Sequence, residues 1–516
     1  MPFRLVPRSP SLRRAAAILG VLGVAAIART GQSEPPAPPS ASVAVPSAPV
    51  ASVAVAPASS ALDAKKIREA AADLAKDVQS WGGTAGIQIV DVASGAVLAS
   101  SAEHTPLNPA SNAKLATAAV ALRLLGPDHR YLTGLYGKRD GDRVKALVLR
   151  GTGDPTLSSD DLMGLARELS AHGVKKVGAI LVDQSYFDDA YTPPAFDQQP
   201  NEWAPFRAPV SAVSVDENTV TITARPTEDG KNATVLLSPP GVAKLSGTVK
   251  TTKKADPEKL GATMSASGGA LSLKVTGHVP EGGDIVRVWR RLEDPRLAPG
   301  FALKAALSQI GIDAADDVRL GGEKEKDLLA AHRSDTLGHV IALLGKDSDN
   351  FVAETVFKTL AAEKKARPGT FAGAAEVVTA EMKAMGAFES GCSITNGSGL
   401  FDANRTTAAS TAALLRAAAN DARIATEFEA QLAVGGVDGT LRSRFKPWSK
   451  TRAVRAKTGT LNAAFALSGY VLGPPGKPTV AFSLIVNGAK GKAGPARAGM
   501  DKVVDAIARS LWGAPP

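Results

Sequence analysis

The stretch NPASNAKLATAAVALRLLG, Asn108 to Gly126, places a single lysine near the start of a run made almost entirely of small and apolar residues. From Ser111 onward the apolar positions keep a helical period and stop at Gly126-Pro127, a helix-ending pair. Ser111 and Lys114 are three apart, so on a helix their side chains share one face. A lysine desolvated against an Ala/Leu surface has its pKa drawn toward neutrality and becomes able to take a proton from a nearby hydroxyl. A serine in the first turn lies near free backbone N–H groups and the positive end of the helix dipole, where a developing oxyanion is favoured. The alternative is a solvated lysine. A second Ser-x-x-Lys pair, Ser443 to Lys446, runs into Pro447 and cannot open a long helix, so the pair alone is weak.

Two further stretches change the weighing. In KDSDNFVAE, Ser348, Asp349 and Asn350 lead into a helical pattern, which puts a hydroxyl and an amide two apart at a helix start; the plainer reading is N-capping. In RAKTGTL, Lys457, Thr458, Gly459 and Thr460 lie in a strand pattern where the glycine lets a ligand backbone approach. The plainer reading there is an edge strand, in which Lys and Thr are ordinary. SxxK, SDN and KTG in this order form the signature set of penicillin-recognising serine enzymes, and three unrelated motifs in order are far more specific than any one.

On these residues the chain resembles the exported D-alanyl-D-alanine carboxypeptidase/endopeptidases, the class C low-molecular-mass penicillin-binding proteins. The spacing favours that branch: 237 residues separate Ser111 from Ser348 and 109 separate Ser348 from Lys457. An SDN-type β-lactamase has only some tens in the first gap. The stretches RGTGDPTLSSDDL, VDQSYFDD, APVSAVSVDENTV, NGSGLFDANRTT and VGGVDGTLRSRF also look like family segments, and the likeness covers most of residues 65–514. Asn396 departs from it, because the family usually has Asp before Gly-Ser-Gly.

The resemblance implies a penicillin-recognising transpeptidase/β-lactamase-like α/β (α+β) domain, an antiparallel sheet flanked by helices with one or two inserted domains. It implies acyl transfer without a cofactor. Ser111 is the nucleophile, Lys114 the acylation base, and Ser348, with Lys457 nearby, relays a proton to the leaving amine. The oxyanion lies between the N–H groups of Ser111 and Thr460. Asn350 holds the substrate amide, while Thr458, Thr460 and the Lys457 ammonium hold the terminal carboxylate beside Gly459. Ser398 joins the substrate-binding set. Asp154 is a weaker carry-over for the free end of the peptide stem; a turn-forming Asp before Pro155 explains it equally well. The expected partners are peptidoglycan stem peptides, with β-lactams as covalent inhibitors. No Glu-x-x-Leu-Asn segment lies between Ser348 and Lys457, where many β-lactamases carry their deacylating carboxylate, so a penicilloyl-enzyme should persist.

The rest of the chain is organised around these motifs. With 516 residues it is too long for one ordinary core. Asp63 to Val78 reads as an amphipathic helix, followed by a hairpin about Ser94-Gly95. Between Gly126 and about Leu329 short β-like runs dominate, with one helical stretch, SSDDLMGLARELSAHG. Helical patterns return at DTLGHVIALLG, DNFVAETVFKTLAAEKK and TTAASTAALLRAAAN, and the end reads strand, strand, strand, helix. The expected division is residues 63–130 and 330–516 as one catalytic domain, with 131–329 inserted as β-rich, nested units. The N-terminal hairpin and the last three strands would share one sheet.

Residues 1–30, with Arg4, Arg8, Arg13 and Arg14 before the apolar AAAILGVLGVAAIA, read as a cleaved secretory signal, the alternative being an uncleaved anchor. Residues 31–62, rich in Pro, Ala, Ser and Val, read as an extended, disordered linker. Export to the periplasm or cell wall follows. Cys392 is the only cysteine, and the six His lack ligand spacing, so neither a disulfide nor a metal site is expected. The net charge of +10 is diffuse, without basic runs interleaved with aromatics, which argues against nucleic acid. Oligomeric state leaves no signal. Two rival functions remain: a β-lactamase or esterase of the same superfamily, separable by nitrocefin turnover, and a non-catalytic wall-binding relic, separable by labelling with a fluorescent penicillin.

Overall fold

A computed structural model describes residues 63–199, 203–253, 258–475 and 479–515. The signal and linker expectations fall outside the described residues. Helix α1 (Ala64–Ser80) opens on an N-cap Asp63 and buries Ile67, Ala71, Leu74 and Val78, the stripe that the helical period requires. Strands β1 (Thr84–Asp91) and β2 (Val97–Ser101) form the hairpin. Asp91 Oδ1 fixes its turn by accepting from Ser94 N (2.7 Å) and Ser94 Oγ (2.6 Å).

Four strands from the far end of the chain complete the sheet: β3 (Ala433–Val434), β4 (Val454–Thr460), β5 (Ala464–Val471) and β6 (Val480–Asn487). The order is β3-β4-β5-β6-β1-β2, antiparallel throughout, with β1 paired along its whole length to β6. One face carries α1 and the closing helix α7 (Ala493–Trp512) over a core that includes Ile87, Phe465, Phe482 and Val503. The other carries α2 (Ala113–Leu125), α3 (Leu337–Lys346), α4 (Asn350–Lys364), α5 (Phe371–Ala384) and α6 (Ala408–Ala419). Helix α2 is buried from Ala113 to Leu122, so it is a central helix rather than an amphipathic one. Its alanines let neighbouring helices approach closely. Among the described residues no helix is long and apolar enough to cross a membrane.

The chain leaves this body after Arg130 and returns at Ser334. Between lies a five-stranded mixed sheet, in the order 318–320, 180–183, 147–151, 132–136, 328–333, with helices Ser159–Ala171 and Ala298–Gln309. Nested inside, the strands of residues 219–252 and 259–291 form a three-stranded and a four-stranded sheet. All of these elements share one hydrophobic core. The second helix, Ala298–Gln309, departs from the single helical stretch expected of this region. Residues 184–199 run back over the catalytic body, where the fully buried Lys358 of α4 pairs with Asp188 (2.5 Å) between the rings of Phe187 and Phe371.

At the crossing point, Tyr131 N donates to Ser334 Oγ (2.9 Å) and Ser334 N donates to Tyr131 O (3.0 Å), both residues being buried. Ser334→Ala would orphan a buried N–H at the joint, at a cost of about 1–3 kcal/mol. Equilibrium urea unfolding of the two proteins measures it, and an unchanged midpoint would refute the role.

Candidate active site

The nucleophile motif begins in a 3-10 turn, Ala110–Asn112, rather than in the α-helix proper. Asn108 shapes this turn: its Oδ1 accepts from Ala110 N (2.9 Å), while its backbone N–H and C=O pair with the Asn487 side chain at the end of β6 (2.8 and 3.0 Å). Ala110 is held at φ 47°, a strained conformation for a residue with a Cβ. Ser111 is thereby presented at the head of α2.

Lys114 is wholly buried, and its Nζ meets three oxygens: Asn350 Oδ1 (2.7 Å), the carbonyl of Ser398 (2.8 Å) and Ser111 Oγ (3.1 Å). The first two can only accept. A neutral amine has two N–H bonds for them and one lone pair, which then faces the only group of the three able to donate, the Ser111 hydroxyl. Burial lowers the Lys114 pKa to about 7, with Glu354 and Asp349 opposing the shift. The lysine is therefore half neutral near physiological pH.

The second motif divides its labour. Asp349, not Ser348, caps α4, its Oδ1 accepting from Val352 N (3.1 Å). That leaves Asn350 free to bridge Lys114 and, through Nδ2, the carbonyl of Phe206 (3.0 Å), which belongs to the segment returning from the insert. Ser348 sits at φ 59°, a conformation that non-glycine residues rarely hold without compensation. Its Oγ accepts from Lys457 Nζ (2.7 Å).

Lys457 and Gly459 share the face of β4 turned to α2; Thr458 and Thr460 share the other. A Cβ on Gly459 would stand 2.8 Å from Pro109 O and 3.1 Å from the Ala110 Cβ, so this strand touches the nucleophile turn and only glycine fits. Asn112 ties the same two elements. With its amide oriented to satisfy its partners, Nδ2 donates to Lys457 O (3.0 Å) and Oδ1 accepts from Ser468 Oγ (2.6 Å). Strand β3 pairs only with Arg455 and Ala456, which leaves the outer edge of β4 beyond them open to an extended peptide. Thr458 Oγ1 donates to Thr440 Oγ1 (2.9 Å) across this edge.

Three expectations are corrected. Lys457 is fully buried, and its Nζ also donates to Thr458 O (2.8 Å); burial and the neighbouring Lys114 push its pKa well below that of an ordinary lysine. Enclosed there, with Nζ on Ser348 Oγ and Thr458 O, Lys457 is not the exposed group expected to grip a carboxylate. Ser398 is also fully buried, its Oγ accepting from Leu400 N (3.2 Å), so what it brings to the site is its carbonyl on Lys114, not a substrate-facing hydroxyl. Asp154 is buried as well. Its Oδ1 accepts from Thr156 N (2.8 Å) and Thr156 Oγ1 (2.7 Å), with His332 Nε2 3.6 Å from its Oδ2, an Asp that builds its own turn.

One residue is new. Glu354, one turn after Asn350 and completely buried, accepts from Gly397 N (3.0 Å) and Ser398 N (2.8 Å). Desolvation raises its pKa, while these donors and the Ser398 side chain oppose the rise. It fixes the Gly397-Ser398 stretch of the loop from which the Ser398 carbonyl reaches Lys114. The same loop is pressed against the nucleophile turn at Gly399, φ 73°, where a Cβ would meet Ala110 O at 1.9 Å. Asn396 anchors the loop with both halves of its amide: Nδ2 donates to Pro194 O (3.0 Å) and Oδ1 accepts from Gly399 N (2.9 Å). An aspartate there would lose the donor.

A model of the D-Ala-D-Ala carboxypeptidase 3 (S13) family matches residues 67–509. The D-alanyl-D-alanine carboxypeptidase of Actinomadura sp. (strain R39) is 32% identical over 454 residues, covering 83% of this chain and 82% of the relative. Among solved structures, penicillin binding protein 4 (dacB) from Haemophilus influenzae superposes with a TM-score of 0.69 at 22% identity, over 84% of this chain and 98% of that one. The same protein complexed with a β-lactam gives a TM-score of 0.66 at 22% identity, over 85% of this chain and 99% of that one. With its motifs gathered on this fold, the chain belongs to the D-Ala-D-Ala carboxypeptidase 3 (S13) family.

Proposed function

We propose that the protein is a serine D-Ala-D-Ala carboxypeptidase that trims peptidoglycan stem peptides outside the cytoplasmic membrane, cleaves peptide cross-links by the same chemistry, and is acylated by β-lactams. The observation that carries the reading is the Lys114 environment, two acceptors and one hydroxyl around a buried, near-neutral amine. Ser111 Oγ attacks the carbonyl between the two D-alanines as its proton passes to Lys114 Nζ. The tetrahedral oxyanion is held by the N–H groups of Ser111 and Thr460; one such donor is worth about 2.7–4 kcal/mol of barrier. The C–N bond then breaks as Ser348 Oγ protonates the leaving amine and takes a proton in turn from the Lys457 ammonium, 2.7 Å away, and the Ser111 proton held on Lys114 makes good that loss. Water hydrolyses the acyl-Ser111 ester and releases the shortened stem. In cross-link cleavage the leaving amine belongs to a neighbouring stem. The leader-like segment Arg4–Ala28 supports a location at the wall.

Glu354 fixes the Gly397 and Ser398 N–H groups of the loop whose Ser398 carbonyl accepts from Lys114, and that carbonyl stabilises the lysine as it takes up the Ser111 proton.

Ser111→Ala is expected to remain folded and to lose all labelling by a fluorescent penicillin; persistent stoichiometric labelling would mean another nucleophile. Lys114→Ala should slow acylation by about 10²–10⁴-fold, the usual worth of a general base. In the wild type, Lys114 must be neutral to act, and its pKa is lowered from 10.5 to about 7, so the acylation rate should rise with pH through about 7 and level off above. A stopped-flow pH profile with benzylpenicillin reads this. Glu354→Gln removes a charge that now raises the Lys114 pKa, so its acidic limb should move to lower pH while the plateau rate falls. A lower plateau with an unmoved limb would reduce Glu354 to a structural part. Digestion of purified muropeptides with mass identification of products tests the substrate, and release of neither D-Ala nor cross-linked stems would sink the reading.

A further inference from the structure

If the protein cleaves before a terminal D-residue, a carboxylate must be recognised at the open end of β4, and the buried Lys457 does not reach it. Among the described residues, the one charged side chain bonded to the exposed end of that strand comes from α7: Arg497 Nη2 donates to Thr460 Oγ1 (3.3 Å). Arg497 is exposed, as is Thr460. Among the described residues no carboxylate pairs with this guanidinium. The acidic residues of the same helix are engaged elsewhere, Asp501 by Arg444 and Asp505 by Trp448 and Arg509. Thr458 and Thr460 lie on the α7 face of β4, so a cation from α7 reaches the hydroxyl-bearing side of the strand without crossing the sheet.

The geometry points to Arg497 as the specificity-determining cation that, with the Thr460 hydroxyl, holds the free α-carboxylate of the leaving D-amino acid. A guanidinium suits this task, because its planar fork matches a carboxylate bidentately and keeps its charge at any working pH. In the free protein its Nη2 rests on Thr460; substrate binding replaces that single long hydrogen bond with charge-assisted ones. The same contact accepts a cross-link whose leaving amine stands on a D-centre with a free carboxylate, and disfavours one in which that carboxylate is amidated. The inference rests on the proposed carboxypeptidase reading and adds to it the group that discriminates acid from amide.

The test compares wild type, Arg497→Met and Arg497→Lys on two peptides, one ending in D-Ala-D-Ala with a free carboxylate and the other its C-terminal amide. Wild-type cleavage of the acid decides the proposed function by itself. With that in hand, Arg497→Met should lower kcat/KM for the acid by roughly tenfold or more, the scale of one hydrogen bond to a charged group, and leave the amide nearly unchanged, so that the acid-to-amide ratio collapses. Arg497→Lys should recover part of the ratio. Benzylpenicillin and its methyl ester should repeat the pattern in acylation rate. A parallel fall on acid and amide, or no change on either, overturns the assignment while leaving the carboxypeptidase reading intact.

Discussion

A primary amine with no access to water must have its hydrogen-bonding capacity met by protein, and at Lys114 that requirement organises the molecule. One of its three oxygen partners, Ser111, comes from its own turn and two come from remote segments, Asn350 from the head of α4 and the Ser398 carbonyl from a loop after α5. Each segment is fixed by a further constraint. Asp349 caps α4 so that Asn350 projects from its first turn. Glu354, one turn on, accepts from Gly397 N and Ser398 N and so fixes the loop that brings the Ser398 carbonyl to the lysine. Removing any of these leaves a buried polar group unpaired, which costs more than the hydrogen bond itself is worth.

Close approach does the rest. The nucleophile turn is squeezed between Gly459 of β4 and Gly399 of the loop, and at both positions a single added carbon would collide with backbone. Asn112 and Asn108 pin the turn to β4 and β6, so the strained Ala110 is held from several sides. A rigid first turn matters chemically because the nucleophile, its base and the oxyanion donors must keep their geometry while charge moves among them.

Much of this arrangement was legible in the residues. The hairpin, the last three strands and the closing helix are local periodic signals, and the three motifs are short and chemically distinctive. What escaped depends on contacts formed across the chain. Glu354 stands inside the quoted KDSDNFVAE, yet a Glu in a helix reads as a solvent-facing residue; only the return of Gly397 and Ser398, more than forty positions later, buries it. Ser398 was visible as a side chain, whereas the site uses its carbonyl. Helices Ala298–Gln309 and Phe371–Ala384 are rich in Ala and Gly, which blurs the contrast between faces that reveals an amphipathic helix. The 3-10 start of the nucleophile motif is invisible to periodicity, since three residues carry no period.

The two lysines of the motifs illustrate how burial reassigns a residue's work. In a dry site burial draws the pKa of both down, and Lys114 lowers that of Lys457 further, so both act as proton carriers rather than fixed charges. A carboxylate-binding site needs the opposite, a cation that never titrates. The alternation of β4 separates the two demands: the face bearing Lys457 looks into the sealed interior toward Ser348, and the face bearing Thr460 looks out toward α7 and Arg497. A single strand thus keeps proton transfer and permanent charge on opposite faces without letting the second suppress the first. An arginine on the interior face would repel the proton that Lys114 must accept, so the fold places its lasting charge where water can reach it.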